Sequence, residues 1–235
     1  RRRFADERTL VTNLISSPGS GKTTLLEATA RRLAGRATAA VIEGDVVPGQ
    51  RAVKHRYGQE QDWVHPDSVA ADKKHTFKVL ALDASSGKIL WDRTAYEGTV
   101  FDARHRRSSF AGPTPVTDGA MVFAYFGPEG LYAFDAKGNL AWKATAPFAT
   151  LGLGAGTSPI LHGDLVIIQR DEDNGDHSAL VAYDKKTGKE VWNTKRTIEV
   201  SWSTPAIVQS AGRAELVTNG NDLIIAYDPA TGKEL

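Results

Sequence analysis

Four segments of this sequence share one short grammar. LALDASSGKILW, YAFDAKGNLAW, VAYDKKTGKEVW and IAYDPATGKEL align on Asp83, Asp135, Asp184 and Asp228, at intervals of 52, 49 and 44 residues. A second series, TPVTDG, SPILHG and TPAIVQ, places Pro115, Pro159 and Pro205 at intervals of 44 and 46. Two interleaved series with one period restrict the chain to a repeat architecture, in which each unit buries its apolar face against the next.

Each position in the repeat has a physical reason. Alternating apolar residues such as Leu131 and Ala133, or Leu180 and Ala182, predict a half-buried strand. The Asp opens a turn by accepting hydrogen bonds from its own downstream backbone. Gly87, Gly138, Gly188 and Gly232 then supply the left-handed residue that closes a short hairpin loop. Trp91, Trp142 and Trp192 each follow their Gly by four residues, where one large ring can fill the gap between neighbouring sheets. Four strands per unit of this length describe a propeller blade. Residues 79–94 give the second half of one blade, and 113–145, 158–194 and 204–235 give three more, the last short of its final strand. The expected fold is mainly β, a partial β-propeller of about three and a half four-stranded blades. Its open edges predict self-association or an unknown protein partner.

The first 45 residues follow a different logic. LVTNLI reads as a buried strand, SSPGSG as a loop, KTTLLEATARRLAG as a helix ending at Gly35, and ATAAVIEGD as a second strand. This is a short β, phosphate-loop, α, β unit. Residues 46–76 are polar, carry Pro48 and Pro66, and show no sustained period, so they read as a linker or junction. The expected organisation is a truncated nucleotide-binding unit over 1–45, a junction over 46–76 and propeller repeats over 77–235. Opening without Met and stopping at GKEL in mid-pattern, the chain reads as a fragment.

Composition narrows the chemistry. With 29 basic and 28 acidic side chains the net charge is +1, so no long-range field selects nucleic acid or a membrane surface. Arg1–Arg3 and Arg104–Arg107 are local basic clusters that read as solvated surface. The chain has no cysteine, which removes disulfides, thiolate metal sites and cysteine nucleophiles. No apolar run reaches the roughly 18 residues of a membrane span, and no targeting segment is read.

Residues 10–45, through NLISSPGSGKTTLLE and AVIEGD, resemble the nickel-insertion accessory GTPases of the hydrogenase and urease type. Residues from about His75 onward are similar to pyrroloquinoline-quinone-like propeller repeat proteins, through LDASSGKILW, RHRRSSFAGPTPVTDG, GTSPILHGD, DKKTGKEVW, SWSTPAIV and YDPATGKEL. Together these imply a fusion or chimera. The resemblances imply different compartments, cytoplasm for the loop and cell envelope for the blades, so localisation stays open.

The phosphate-loop candidates are Ser17, Gly19, Ser20, Gly21, Lys22, Thr23 and Thr24. Consecutive amides before a helix would cradle phosphate, Lys22 would reach the outer phosphates, and Thr23 would ligate magnesium. By resemblance, Asp45 lies near that metal. GTP and magnesium are the cofactors if the loop functions. No guanine-reading [NT]-K-x-D and no Cys-His pair for nickel occur, so a working hydrolase is the alternative reading. The leading one is a non-catalytic binding or assembly scaffold.

On the repeats, the resemblance implies a quinone site supported by a vicinal disulfide, and a chain without cysteine is not expected to hold that quinone. His105, Arg106, Arg107 and Ser108 lie between blades in the family pattern, where loops line a binding face, and are the ligand-face candidates. DEDNGD at 171–176 reads as a solvated hairpin loop rather than a calcium loop, and GLGAGT at 152–157 as a loop rather than a dinucleotide fingerprint. DAKG at 135–138 imitates a nucleotide-sensing motif but sits in the repeat register. None of the six histidines is assigned to a metal.

Overall fold

The structure, a computed structural model, describes residues 39–44 (as backbone), 67–69, 72–145, 147–150, 152–172, 177–199, 201–220 and 223–235. Ser17 to Thr24 and Asp45 lie outside these residues, as does the expected helix. Among the described residues there is no α-helix, one 3₁₀ turn (Gly127–Glu129), and otherwise strands and turns.

The strands form four principal antiparallel sheets, the blades, and each contains one copy of the aspartate-glycine grammar. Blade one consists of Ala39–Gly44, Lys74–Leu82 and Ile89–Thr99. Blade two orders Val116–Thr117, Met121–Tyr125, Leu131–Asp135 and Leu140–Ala144. Blade three orders Ile160–His162, Leu165–Arg170, Ala179–Asp184 and Glu190–Lys195, and blade four has Ala206–Ser210, Arg213–Asn219 and Ile224–Tyr227. A two-stranded ribbon joins Ser68–Val69 to Arg104–His105.

The turn chemistry follows the sequence. Asp184 Oδ1 accepts from the backbone N–H of Lys186 at 3.1 Å and of Thr187 at 2.8 Å, and from Thr187 Oγ1 at 2.8 Å. Asp83 makes the same pattern with Ser85 and Ser86, and Asp135 with Lys137 and Asn139. Gly188, at φ +70°, closes its loop by donating to the Asp184 carbonyl at 2.8 Å. That backbone region disfavours any residue with a Cβ.

Three apolar clusters hold the stack, one at each junction of successive blades. Phe77, Val79 and Trp91 pack with Ala124, Phe126, Tyr132 and Phe134. Phe123, Tyr125, Leu131 and Trp142 pack with Val166, Ile168 and Val181. Ile167, Leu180 and Ala182 pack with Leu216 and Tyr227. A blade is therefore apolar on both faces wherever it has a neighbour, which is why alternation alone underestimates its burial.

The tryptophans sit where the repeat places them. Trp142 covers Gly188 so closely that a Cβ there would lie 2.6 Å from the indole Cδ2 and Cε3. Trp91 covers Gly138 and Trp192 covers Gly232 in the same way, each ring reaching from its own outer strand to the next blade's hairpin. Trp91 Nε1 donates to the Ala136 carbonyl at 3.1 Å and Trp142 Nε1 to the Lys185 carbonyl at 3.0 Å. On the partner strand each Trp faces an alanine, in the pairs Ala81 with Trp91, Ala133 with Trp142 and Ala182 with Trp192. The register shifts immediately after each alanine, so a bulge recurs beside every ring.

One pairing was not legible from the amino-terminal motif. Ala39–Gly44, part of the expected second strand of the phosphate-loop unit, pairs antiparallel with Lys74–Leu82, with Ala39 opposite Leu82 and Gly44 opposite Phe77. It occupies the second-strand position of blade one.

Candidate functional site

The ligand-face candidates lie in a loop cluster that several elements hold in place. The ribbon strand Arg104–His105 receives Ser68–Val69, and Ser68 Oγ donates to the Gly152 carbonyl at 2.7 Å. His105 N–H reaches the Leu153 carbonyl at 3.2 Å. GLGAGT is thus a loop, as expected, and it bridges two parts of the cluster: Trp202 Nε1 donates to the Gly154 carbonyl at 3.2 Å, and the indole lies over Gly156.

Asp67 organises the basic residues. Its carboxylate lies 3.0 Å from Arg106 Nε and 3.5 Å from His105 Nε2. The Arg107 backbone N–H donates to His105 Nδ1 at 3.1 Å, which makes Nδ1 the acceptor and turns the N–H of the neutral ring, at Nε2, toward Asp67. Arg107 is exposed, and among the described residues its guanidinium has no carboxylate at ion-pair distance. Ser108 is half-buried and donates its N–H to the His105 carbonyl at 2.8 Å. Among the described residues the cluster therefore presents more positive than negative charge, with an aromatic ring, Trp202, 46% exposed nearby in the loop network.

Two expectations about charge need correction. Arg104 is buried rather than solvated, with its guanidinium 5.4 Å from the centre of the Phe110 ring and Nη1 donating to the His105 carbonyl at 3.2 Å. The start of DEDNGD is likewise buried: Asp171 and Glu172 are enclosed, while residues 173–176 lie outside the described residues. Asp171 is drawn inward because Arg196 is fully buried beside it, 3.4 Å away through Nε, and a buried cation needs a counter-charge. Gln169 Nε2 donates to Asp171 Oδ2 at 2.8 Å, and the guanidinium lies 5.8 Å from the centre of the Tyr227 ring. Burial raises the Asp171 carboxyl to about 6, against the opposing pull of Arg196 and Gln169.

Sequence reading also missed an acidic pair beneath the loops. Asp102 Oδ2 accepts from the Thr150 N–H at 2.7 Å and its hydroxyl at 2.9 Å, while Oδ1 accepts from the Ala103 N–H at 2.7 Å. Glu129 Oε1 accepts from the Phe101 N–H at 2.6 Å. Burial raises the Glu129 carboxyl to about 7; the Phe101 bond opposes this and the nearby Asp102 charge adds to it. With Phe110, Phe126 and Ala155 these residues line a cavity of about 10 Å³, the space of roughly one water. No sequence signal marked Asp102 or Glu129, because single carboxylates in loops have no period. Trp202 was also passed over, although it lies in SWSTPAIV, two residues before the TPAIVQ segment.

Comparison with known proteins fits the two-part pattern. The chain is 62% identical over 45 residues to the hydrogenase maturation factor HypB of Escherichia coli (strain K12), covering 19% of this chain and 16% of that protein. Among solved structures, a europium-containing methanol dehydrogenase matches with a TM-score of 0.50 at 15% identity, over 98% of this chain and 46% of that one. BamB from Moraxella catarrhalis matches with a TM-score of 0.41 at 15% identity, over 69% of this chain and 60% of that one. The chain thus spans less than two thirds of each relative's length. The family model for PQQ_2, outer membrane protein assembly factor BamB, matches residues 64–195 and 176–235, and the chain belongs to this family.

Proposed function

We propose that the chain is a non-catalytic scaffold that binds a protein partner through the loop face carrying His105, Arg106, Arg107, Ser108 and Trp202. The observation that carries this reading is the tethered loop cluster, with Asp67 as its counter-ion and Arg107 exposed. A face with surplus positive charge and an aromatic ring suits an acidic, partly apolar segment of a partner. The family's description as an assembly factor supports the role, and on this reading the chain acts at the cell envelope. In this proposal residues 77–235 carry the functional repeats, Ala39–Gly44 and residues 74–76 complete blade one, residues 67–69 belong to the loop face, and the rest of 1–45 and 46–76 are a grafted segment and a junction.

Metal-assisted alcohol oxidation, which the name of the europium-containing relative implies for that protein, is not proposed for this chain. Asp102 and Glu129 spend three of their oxygens on backbone and threonine donors. Among the described residues no three His, Cys, Asp or Glu converge on one point.

The test is a titration of a labelled glutamate-rich peptide containing one Leu and one Phe. Binding should weaken with salt and fall about tenfold in Arg107→Glu. Absence of binding, or binding indifferent to residue 107, overturns the assignment.

A second reading rests on the HypB similarity: GTP binding at Ser17, Gly19, Ser20, Gly21, Lys22, Thr23 and Thr24, with magnesium at Thr23 and Asp45, serving nickel delivery. Magnesium-dependent GTP binding that Lys22→Ala abolishes supports this reading, and no binding removes it.

A further inference from the structure

Asp102 sits at the root of the loop face. Its Oδ2 holds both the N–H and the hydroxyl of Thr150, and Thr150 Oγ1 in turn accepts from the Gly154 N–H at 2.9 Å. The Leu153 N–H returns to the Thr150 carbonyl at 2.9 Å. These bonds shape the start of the 152–157 loop, and that loop is what the face is tied to: the Gly152 carbonyl accepts from Ser68, that of Leu153 from His105 and that of Gly154 from Trp202. One buried carboxylate thus fixes the backbone that His105 and Trp202 share.

Glu129 borders the same anchor. It ends the Gly127–Glu129 turn, and Ala155 presses directly on that turn, since a Cβ on Gly127 would lie 2.5 Å from the Ala155 Cβ. Asp102, Glu129, Thr150, Gly154 and Ala155 share the walls of the water-sized cavity, together with Phe110 and Phe126 from the apolar cluster between blades one and two. A second negative charge in so small a space cannot be hydrated unless the walls part. Phe126 is held by its stacking on Phe77, with ring centres 5.1 Å apart, so the side that gives is the 152–157 loop.

We propose that Asp102 and Glu129 form a proton-operated latch for the loop face: while Glu129 keeps its proton the 152–157 loop stays seated on Asp102, and loss of that proton loosens the loop and weakens partner binding. That the latch regulates binding rests on the proposed function; the seating of the loop does not. The groups around Glu129 set the balance. From blade one and its connection come His75, whose field favours the charged form, and Asp102, whose charge opposes it. From blade two come Tyr125 and Tyr132, the latter donating its hydroxyl to the Glu129 carbonyl at 3.0 Å. Arg104 lies over the Phe110 ring, 5.4 Å from its centre, and neither Thr150 nor the 152–157 loop brings a titratable side chain. With burial as the main cause the Glu129 carboxyl is raised to about 7, so the latch is closed below about 7 and opens above it.

Amide hydrogen exchange on the full chain tests the latch, read as protection factors so that the intrinsic effect of pH on exchange cancels. Protection of the Thr150 and Gly154 amides should fall about fivefold or more between about pH 6 and pH 8, on either side of the Glu129 value, and stay level in Glu129→Gln, which keeps an acceptor for the Phe101 N–H. Asp102→Asn should lower both at every pH. Thr150→Val, which removes only the acceptor of the Gly154 N–H, is the milder check if the asparagine variant fails to fold. Affinity for the glutamate-rich peptide should fall over the same range, and by less in Glu129→Gln; His105 is present in both proteins, so the difference isolates residue 129. Protection that is level with pH in the wild type, or that falls equally in Glu129→Gln, overturns the proposal. A step in protection without peptide binding at any pH upholds the seating of the loop and refutes the face assignment instead.

Discussion

Replacing Gly188 by alanine isolates the contact that joins one blade to the next. The new Cβ would lie 2.6 Å from two carbons of the Trp142 ring, at a residue held at φ +70°. Two costs combine: about 1–2 kcal/mol for a Cβ in the left-handed region, and about 1–3 kcal/mol for forcing a packed ring aside. Restricting the unfolded chain returns about 0.4–1 kcal/mol, so the net expectation is a loss of about 3 kcal/mol. Gly163, in a hairpin of the same blade, is the matched control because its φ is +54° and nothing lies within 4 Å of the added carbon. Gly163→Ala should therefore cost about 1 kcal/mol, the conformational part alone. In a Trp142→Leu background the ring is gone, and the cost of Gly188→Ala should fall to that of Gly163→Ala, a coupling of about 2 kcal/mol. Urea unfolding followed by far-ultraviolet circular dichroism measures all four differences. Equal costs at positions 163 and 188, or no coupling to residue 142, would refute the stacking argument.

Further predictions concern buried and turn charges. Glu129 has its pKa raised from 4.5 to about 7, so its contribution to stability is full below about 4.5 and is lost as pH rises through about 7. Glu129→Gln should remove that slope from a series of thermal melts while keeping an acceptor for the Phe101 N–H. Asp83 is displaced the other way, from 3.8 to about 2 by the Ser85 and Ser86 hydroxyls, so its stabilisation holds above about 4 and disappears as pH falls through about 2. Asp83→Ala should flatten the acid limb of the same melts. Arg196→Met leaves Asp171 buried without its cation and should destabilise by about 3–5 kcal/mol at pH 8, and by less at pH 5, where that carboxyl is protonated.

The features legible in the sequence were those whose cause is local. An Asp that caps its own turn, a Gly that closes it and a Trp four residues on are written within ten residues, and the structure places all three as read. What escaped depends on distant chain segments. Ala39–Gly44 carries no mark of its partner, since an apolar run can pair with a phosphate-loop strand or with a blade, and only the free edge of Lys74–Leu82 decides. Arg104 and Asp171 read as surface because charge normally stays in water. Their burial follows from Phe110 and Arg196, neither of which announces itself in the local pattern. Within the loop site, His105 and Arg106 were readable as candidates, but their counter-ion, Asp67, lay in a stretch with no period of its own.

Radial stacking of one repeat on the next is the claim from which the rest follows, and proton–proton Overhauser contacts between indole rings and glycine α-protons measure it directly. The account predicts contacts of Trp91 with Gly138, Trp142 with Gly188 and Trp192 with Gly232, with slow indole N–H exchange at Trp91 and Trp142. Rings in contact with the glycine of their own hairpin, or with none of these glycines, would contradict it.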